Sequence, residues 1–150
     1  MPLYNYAAQK VATCLTPFNA KLTAEATGTG VAVGGYADVT MVWLQGVSLD
    51  TLSGSTYWVI TFEESDTLGS GYTTIAAAGI DSATATITVD AGAEDPTLIV
   101  RRYRGTKAYV RMIGTKTGTH TNGTPLAALV LLGGAIHAPI DKETELGTAA

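Results

Sequence analysis

The chain has 150 residues, enough for one domain of ordinary size, and only 15% of them are charged, against about 25% in ordinary soluble domains. The formal net charge of −4 argues against general phosphate binding, because non-specific affinity for nucleic acids depends on many Lys and Arg residues that release counterions. The single cysteine, Cys14, cannot form an intramolecular disulfide, and no apolar run approaches the roughly 20 residues of a membrane-spanning helix, so we expect cytoplasmic synthesis and no membrane partner.

A surface with so little charge favours a protein that is partly covered by copies of itself or by a partner. The alternative is a plain monomer whose many Ala and Gly residues raise its mean hydropathy.

Residues 1–19 form a predicted N-terminal arm. Its large apolar side chains are unusual in a free tail, so we expect it to dock on a partner. The stretch NYAAQKVATCL can form a helix with Asn5 as its N-cap, or it can be extended. The interaction residues predicted in the arm are Leu3, Tyr4, Tyr6 and Phe18.

Alternating apolar and polar residues predict a series of β-strands after the arm. The run ADVTMVWLQ is apolar on both faces, which favours a central strand or one covered from outside by a neighbouring chain. In YWVITFEE, Trp58, Ile60 and Phe62 share one face, which we predict to be buried. Further β-like runs are ATATITV, TLIVRRY, KAYVRMI and PLAALVLL, and weaker ones are AKLTAEA, GVAV and YTTIAA.

Gly, Ser, Asp, Asn and Pro clusters separate these runs at short intervals. Asn122–Gly123 predicts a tight β-hairpin, because both central residues of a type I′ turn need positive φ and this pair tolerates it. The fold class predicted is all-β, an antiparallel β-sandwich of jelly-roll type that occupies residues 20–140. The arm is then extended or partly helical, and residues 141–150 are predicted to be a flexible tail.

Candidate catalytic, cofactor and metal residues are not apparent. The two histidines, His120 and His137, have no neighbouring ligands at metal-binding spacing, so we interpret them as surface or packing residues. Two acidic groups, Glu63 to Asp66 and Asp90 to Asp95, lack the alternate oxygen spacing of a calcium loop, and we interpret them as solvated turn residues. We therefore predict neither an enzyme nor a cofactor-binding protein.

The stretch RRYRGTKAYVRMIGTK, residues 101–116, holds six of the nine Lys and Arg residues and no Asp or Glu. On a strand, Lys107, Tyr109 and Arg111 share a polar face, while Val110 and Met112 share a core face. A basic face with a tyrosine also suits nucleic acid, but the acidic net charge of the chain disfavours that interpretation. The polar face then either pairs with Glu63 or Glu64 of an adjacent strand or forms an interface with another subunit. The interaction residues predicted here are Arg101, Arg104, Lys107, Tyr109 and Arg111.

The stretches YRGTKAYVRMIGTKTGTHTNGTPLAALVLLGGAIHAP and YWVITFEESDTLGSGYTTIAA, about half of the chain, resemble small virion structural proteins of tailed bacteriophages. The pattern combines an aromatic–Arg–Gly–x–Lys turn, a Tyr-Val-Arg strand, a Thr/Gly stretch and an apolar strand that ends near Ala-Pro. It is carried by Tyr103, Arg104, Gly105, Lys107, Tyr109, Val110, Arg111, Gly118, Thr119, Gly123, Ala138 and Pro139.

This resemblance implies a head decoration or cement protein on the capsid surface of the virion, made in the host cytoplasm. Its implied partners are the major capsid protein and copies of itself, without specific nucleic acid, and it carries over no catalytic residues. Two alternatives remain: a tail or head–tail connector subunit, and a carbohydrate-binding sandwich that stacks sugars on Trp43, Trp58 or Tyr109. The predicted burial of Trp58 speaks against the second.

Overall fold

Two antiparallel β-sheets pack against each other in a computed structural model of the chain, which describes residues 10–15, 22–81 and 84–135. The predicted all-β sandwich is confirmed. The strands of the described part are β1 (Lys10–Leu15), β2 (Ala26–Thr27), β3 (Val31–Ala32), β4 (Tyr36–Gln45), β5 (Tyr57–Ser65), β6 (Thr73–Thr74), β7 (Thr86–Val89), β8 (Thr97–Tyr103), β9 (Tyr109–Thr117) and β10 (Leu126–Ala135). Two short 3-10 helices, Ala77–Gly79 and Gly92–Glu94, lie in the connections.

The strand pairing is nested. Strand β1 pairs with β10, β2 and β3 with β9, β4 with β8, and β5 with β7, as in a long antiparallel hairpin that has been rolled up. The rolled hairpin forms a four-stranded sheet, β1-β10-β4-β8, and a six-stranded sheet in which β9 and β5 are central. This arrangement of two sheets is a jelly roll.

Period-two alternation decides which side chains fill the space between the sheets. Trp58, Ile60 and Phe62 of β5 have no exposed surface, as predicted, and neither have Val110 and Met112 of β9. From the four-stranded sheet, the core receives mainly Val39, Met41, Trp43, Ile99, Leu126, Ala128, Val130 and Leu132.

Among the described residues, no helix is long and apolar enough to cross a membrane.

Residues 10–15 of the predicted N-terminal arm belong to the sandwich. Lys10–Leu15 is strand β1, extended rather than helical, and it forms an edge of the four-stranded sheet beside β10. Cys14 and Leu15 are buried in the core, with 3% and 7% of their surface exposed. The predicted interaction residues Leu3, Tyr4, Tyr6 and Phe18 lie outside the described residues, as do His137 and the predicted tail, 141–150.

The hairpin predicted at Asn122–Gly123 is wrong, because the strands on either side of it, β9 and β10, lie in different sheets. Gly123 has a φ of 76°, but no described residue other than glycine has a positive φ, so Asn122 does not adopt the type I′ conformation. Asp50 holds the loop instead. Its carboxylate accepts hydrogen bonds from the backbone N–H groups of Thr121 (3.0 Å), Asn122 (3.0 Å) and Gly123 (2.8 Å).

Candidate interaction surfaces

On the polar face of β9, a basic side chain pairs with a carboxylate of the same sheet. Arg111 lies directly opposite Glu63 of β5, and its Nε donates to Oε2 of Glu63 at 2.7 Å. Only 25% of the Arg111 side chain and 13% of the Glu63 side chain are exposed. The guanidinium also stacks on the ring of Tyr72, with its central carbon 4.0 Å from the ring centroid. Of the two alternatives for this face, the structure therefore supports pairing within the chain for Arg111.

Two further contacts close the turn between β8 and β9. The ammonium of Lys107 donates to Oδ2 of Asp66 at 2.5 Å, and this hydrogen bond raises the pKa of Lys107. The hydroxyl of Tyr103 donates to Oε2 of Glu64 at 2.6 Å and accepts from the backbone N–H of Lys107 at 2.9 Å. Burial, followed by the bond to Glu64, raises the pKa of Tyr103. These contacts fix the turn to the end of β5.

The remaining basic residues of the run point in different directions. Arg101 lies on the core-facing side of β8 and donates from Nη1 to the carbonyl oxygen of Val100 at 2.9 Å. Arg102 points outward and forms an exposed ion pair with Asp38 of β4 at 2.9 Å. Arg104 is exposed in the turn after β8. The basic run is thus divided between two sheets and a turn, and its contact with another protein stays a prediction.

The acidic residues that we expected to be solvated turn residues have structural partners. Besides the three contacts above, Oδ1 of Asp95 accepts from the Gln45 side-chain amide at 3.2 Å, and its Oδ2 accepts from the backbone N–H of Ser48. Oε2 of Glu94 accepts from the backbone N–H of Asp90 at 2.9 Å. In the described residues, no group of three His, Cys, Asp or Glu side chains could hold a metal ion.

The side chains of His120 and Cys14 are both buried and contact other residues of the core. His120 packs on Trp58, with ring centroids 4.8 Å apart, and lies 3.1 Å from the carbonyl oxygen of Thr117. This agrees with the packing role considered for it. Burial raises the pKa of the Cys14 thiol to about 11, even though the backbone N–H of Met112 donates to its sulfur at 3.3 Å. Because the thiolate is the nucleophilic form, Cys14 is unsuited to nucleophilic chemistry near neutral pH.

The tryptophans do not form a sugar-stacking platform. Trp43 and Trp58 have no exposed surface, and the indole N–H of Trp58 donates to Oγ1 of Thr124 at 3.0 Å inside the protein. Tyr109, the third ring considered, is half-buried on β9. A stacking platform must be exposed, so neither tryptophan can bind a sugar by stacking as the carbohydrate-binding alternative requires.

Five of the eight exposed large hydrophobic side chains in the described part of the chain lie on the side of the four-stranded sheet that faces away from the core. Leu98 is 63% exposed, Val11 54%, Val100 48% and Leu131 41%. Directly opposite residues of antiparallel strands share a face of the sheet, so the register identifies the remaining members of this surface. We call it the outer apolar face: Val11 of β1, Val42 and Leu44 of β4, Leu98 and Val100 of β8, and Leu129 and Leu131 of β10.

The outer apolar face is continuous across all four strands. Val42 lies at its centre, opposite Leu129 on one side and Val100 on the other. Leu131 extends it to Val11 on the edge strand β1. Charged residues that point outward lie at one end of the sheet, where Arg102 pairs with Asp38. An apolar centre with charge at the rim is the usual anatomy of a protein interface.

The sequence signal for this face is a strand with apolar residues on both sides, and we recognised it only for β4. ADVTMVWLQ is apolar on both sides, and so are parts of TLIVRRY and PLAALVLL. The structure places these three runs side by side as β8, β4 and β10. Their outward apolar residues therefore form one surface that no other segment of the described chain covers.

Comparison of the chain with family models, with curated proteins and with solved structures gave no match.

Proposed function

We propose that this protein is a non-enzymatic structural subunit of a tailed-bacteriophage head, a decoration or cement protein that binds the lattice of the major capsid protein and stabilises the head. The observation that carries the proposal is the outer apolar face, a sheet surface with Leu98 63% and Val100 48% exposed. Such a surface is a liability for a free monomer, but it suits a subunit that is covered during assembly.

The sequence pattern adds support from a different part of the molecule. The residues that resemble virion structural proteins include Tyr103, Lys107 and Arg111, which fix the β8–β9 turn and the β9 strand in place. These contacts hold neighbouring parts of the fold together. The resemblance implies a jelly-roll body, and the two-sheet sandwich of this chain is compatible with that expectation.

A subunit of this kind stabilises a capsid through linked binding. A ligand that binds the assembled lattice but not its dissociated subunits shifts the equilibrium toward the assembled form. Contacts to the lattice and to neighbouring copies also reinforce each other, because each contact raises the effective concentration for the next. Individually modest interfaces can therefore hold the protein firmly on the particle.

The proposal is tested with capsids of the encoding phage prepared without this protein. Added purified protein should bind with a fixed number of copies per particle and should raise the temperature at which the capsids melt. Leu98→Lys, which places a charge in the outer apolar face, should bind more weakly whether this face contacts the lattice or a neighbouring copy on it, whereas Thr88→Lys, at an exposed position on the six-stranded sheet, should bind normally. Absence of binding by the unaltered protein would refute the proposal.

A further inference from the structure

We infer that residues 1–9 of one copy lie on the outer apolar face of a neighbouring copy, so that copies of this protein are linked by exchanged N-terminal segments. The inference concerns contacts between copies alone and does not depend on binding to a capsid. It rests on where the segment joins the sandwich, on its chemistry and on its length.

The segment joins the sandwich at a corner of the face. Lys10, the first described residue, lies opposite Leu132, and the next residue, Val11, is itself a member of the outer apolar face. Lys10, Val11 and Leu131 line one shallow groove together with Asp38. Lys10 therefore joins the segment to the sheet near the place at which the charged rim and the apolar face meet.

The chemistry of the segment matches the face. MPLYNYAAQ contains no Asp, Glu, Lys or Arg, and it carries three large side chains, Leu3, Tyr4 and Tyr6. Tyrosine is enriched in protein interfaces, whereas charged residues are depleted in their centres. The segment after β10 is a poorer match, because residues 136–150 include Asp141, Lys142, Glu143 and Glu145.

The segment is also long enough. From the Asp38–Arg102 rim to Leu44 and Leu98 the face extends about six residues along its strands, or about 20 Å. Nine residues can span up to about 30 Å. Residues 1–9 can thus cross the whole face, with length to spare for the gap between two copies.

The direction of β1 favours the face of a neighbour over the face of the same chain. β1 runs from Lys10, near the charged end of the sheet, toward the apolar centre of the face, while β10 and β4 continue beyond the Lys10–Leu132 pair to Ala135 and Tyr36. A chain that continued backward from Lys10 along the direction of β1 would therefore lead away from the apolar centre. To lie on its own face the segment would have to reverse, and its nearest residue of the Gly, Pro, Asn, Asp and Ser group that favours turns is Asn5, which leaves only residues 1–4 to return.

Crosslinking between two differently labelled proteins tests this arrangement without any capsid. One protein carries Tyr4→Cys and the other carries Val100→Cys; Cys14 is kept in both, because its buried thiol, with a pKa of about 11, reacts slowly. After mixing, a short bis-maleimide should join the two proteins. Replacing Val100→Cys by Thr88→Cys, on the six-stranded sheet, should reduce the joined product to background.

Two outcomes of the crosslinking would overturn the inference. If the mixed proteins do not join but a chain with both substitutions crosslinks internally, the segment covers its own face. If neither reaction occurs, something else covers the face. As a second measurement, a chain that lacks residues 1–9 should keep its β circular-dichroism spectrum but sediment as a monomer, with increased binding of an apolar dye. Retention of the oligomer of the full chain would also contradict the exchange.

Discussion

Arg111 and Glu63 face each other across β9 and β5, joined by a 2.7 Å hydrogen bond between Nε and Oε2. The pair is largely shielded, since 25% and 13% of the two side chains are exposed, and Tyr72 covers the guanidinium. Breaking a shielded pair costs more than breaking an exposed ion pair, because removal of one partner leaves a shielded charge without compensation.

Reversing the charge of Arg111 should therefore destabilise the fold. Arg111→Glu places two carboxylates opposite each other and should reduce the free energy of unfolding by about 2 kcal/mol, measured by urea denaturation. The exchange Arg111→Glu with Glu63→Arg should restore part of the loss. Lys107→Glu is the matched control. Its pair with Asp66 is 43% and 65% exposed, so this reversal should change the free energy of unfolding much less than Arg111→Glu does. Equal effects of the two reversals would contradict this account.

Asp50 should make stability depend on pH in the acid range. Hydrogen bonds from the loop, foremost from the backbone N–H of Asn122, lower the pKa of Asp50 from its ordinary value of 3.8. The resulting stability is present above that value and is lost as the pH falls through the lower pKa of the folded state. Asp50→Asn should be less stable than the unaltered protein at neutral pH, and the difference should shrink on acidification. Urea denaturation between about pH 2 and pH 7 would show this convergence below about pH 4; a constant difference down to the lowest pH would contradict it.

Gly114 of β9 is required by the ring of Trp43. A Cβ atom at this position would lie 2.7 Å from Cη2 of Trp43, which is fully buried and has no room to move. Gly114→Ala should therefore reduce the free energy of unfolding by roughly 1–3 kcal/mol and lower the melting temperature. Gly92→Ala is the control, since a Cβ there has no atom within 4 Å. A melting temperature unchanged in both variants would show that the sheets separate easily at this point.

Two N-terminal truncations show where the part of the chain that is required for folding begins. Removing residues 1–9 leaves every described strand in place, so the shortened chain should fold. Removing residues 1–15 deletes β1, withdraws Cys14 and Leu15 from the core and uncovers the edge of β10; it should cost more than about 3 kcal/mol or prevent folding. Circular dichroism and thermal melting distinguish the two. If the chain without residues 1–15 melts like the full chain, β1 is dispensable.

Much of the sandwich could be predicted from local patterns. The alternation of Trp58, Ile60 and Phe62 predicted the buried face of β5, and that of Val110 and Met112 the buried face of β9. Asn122–Gly123 led to a wrong prediction because a local pattern shows only which turn the dipeptide tolerates. The dipeptide tolerates a hairpin turn, but Asp50, more than seventy residues earlier, bonds the loop in another conformation.

The candidate surfaces were less accessible to prediction. The sequence offered two carboxylates, Glu63 and Glu64, as partners for Arg111. Only the register between β5 and β9 places Glu63 directly opposite Arg111. The outer apolar face depends on three distant segments becoming neighbours. In a jelly roll nearly every strand pair joins segments far apart in the chain, and no local pattern specifies such pairs.

By itself, the sequence determined the class of the fold and the buried side of the strands that have one apolar side, such as β5 and β9, because side chains alternate along a strand with a period of two. Tertiary structure decided which strands became neighbours and which carboxylate pairs with each basic side chain. It also decided which apolar side of the four-stranded sheet remained exposed. These depend on register and on sheet assignment, and both are set by the packing of the whole core around residues such as Trp43 and Trp58.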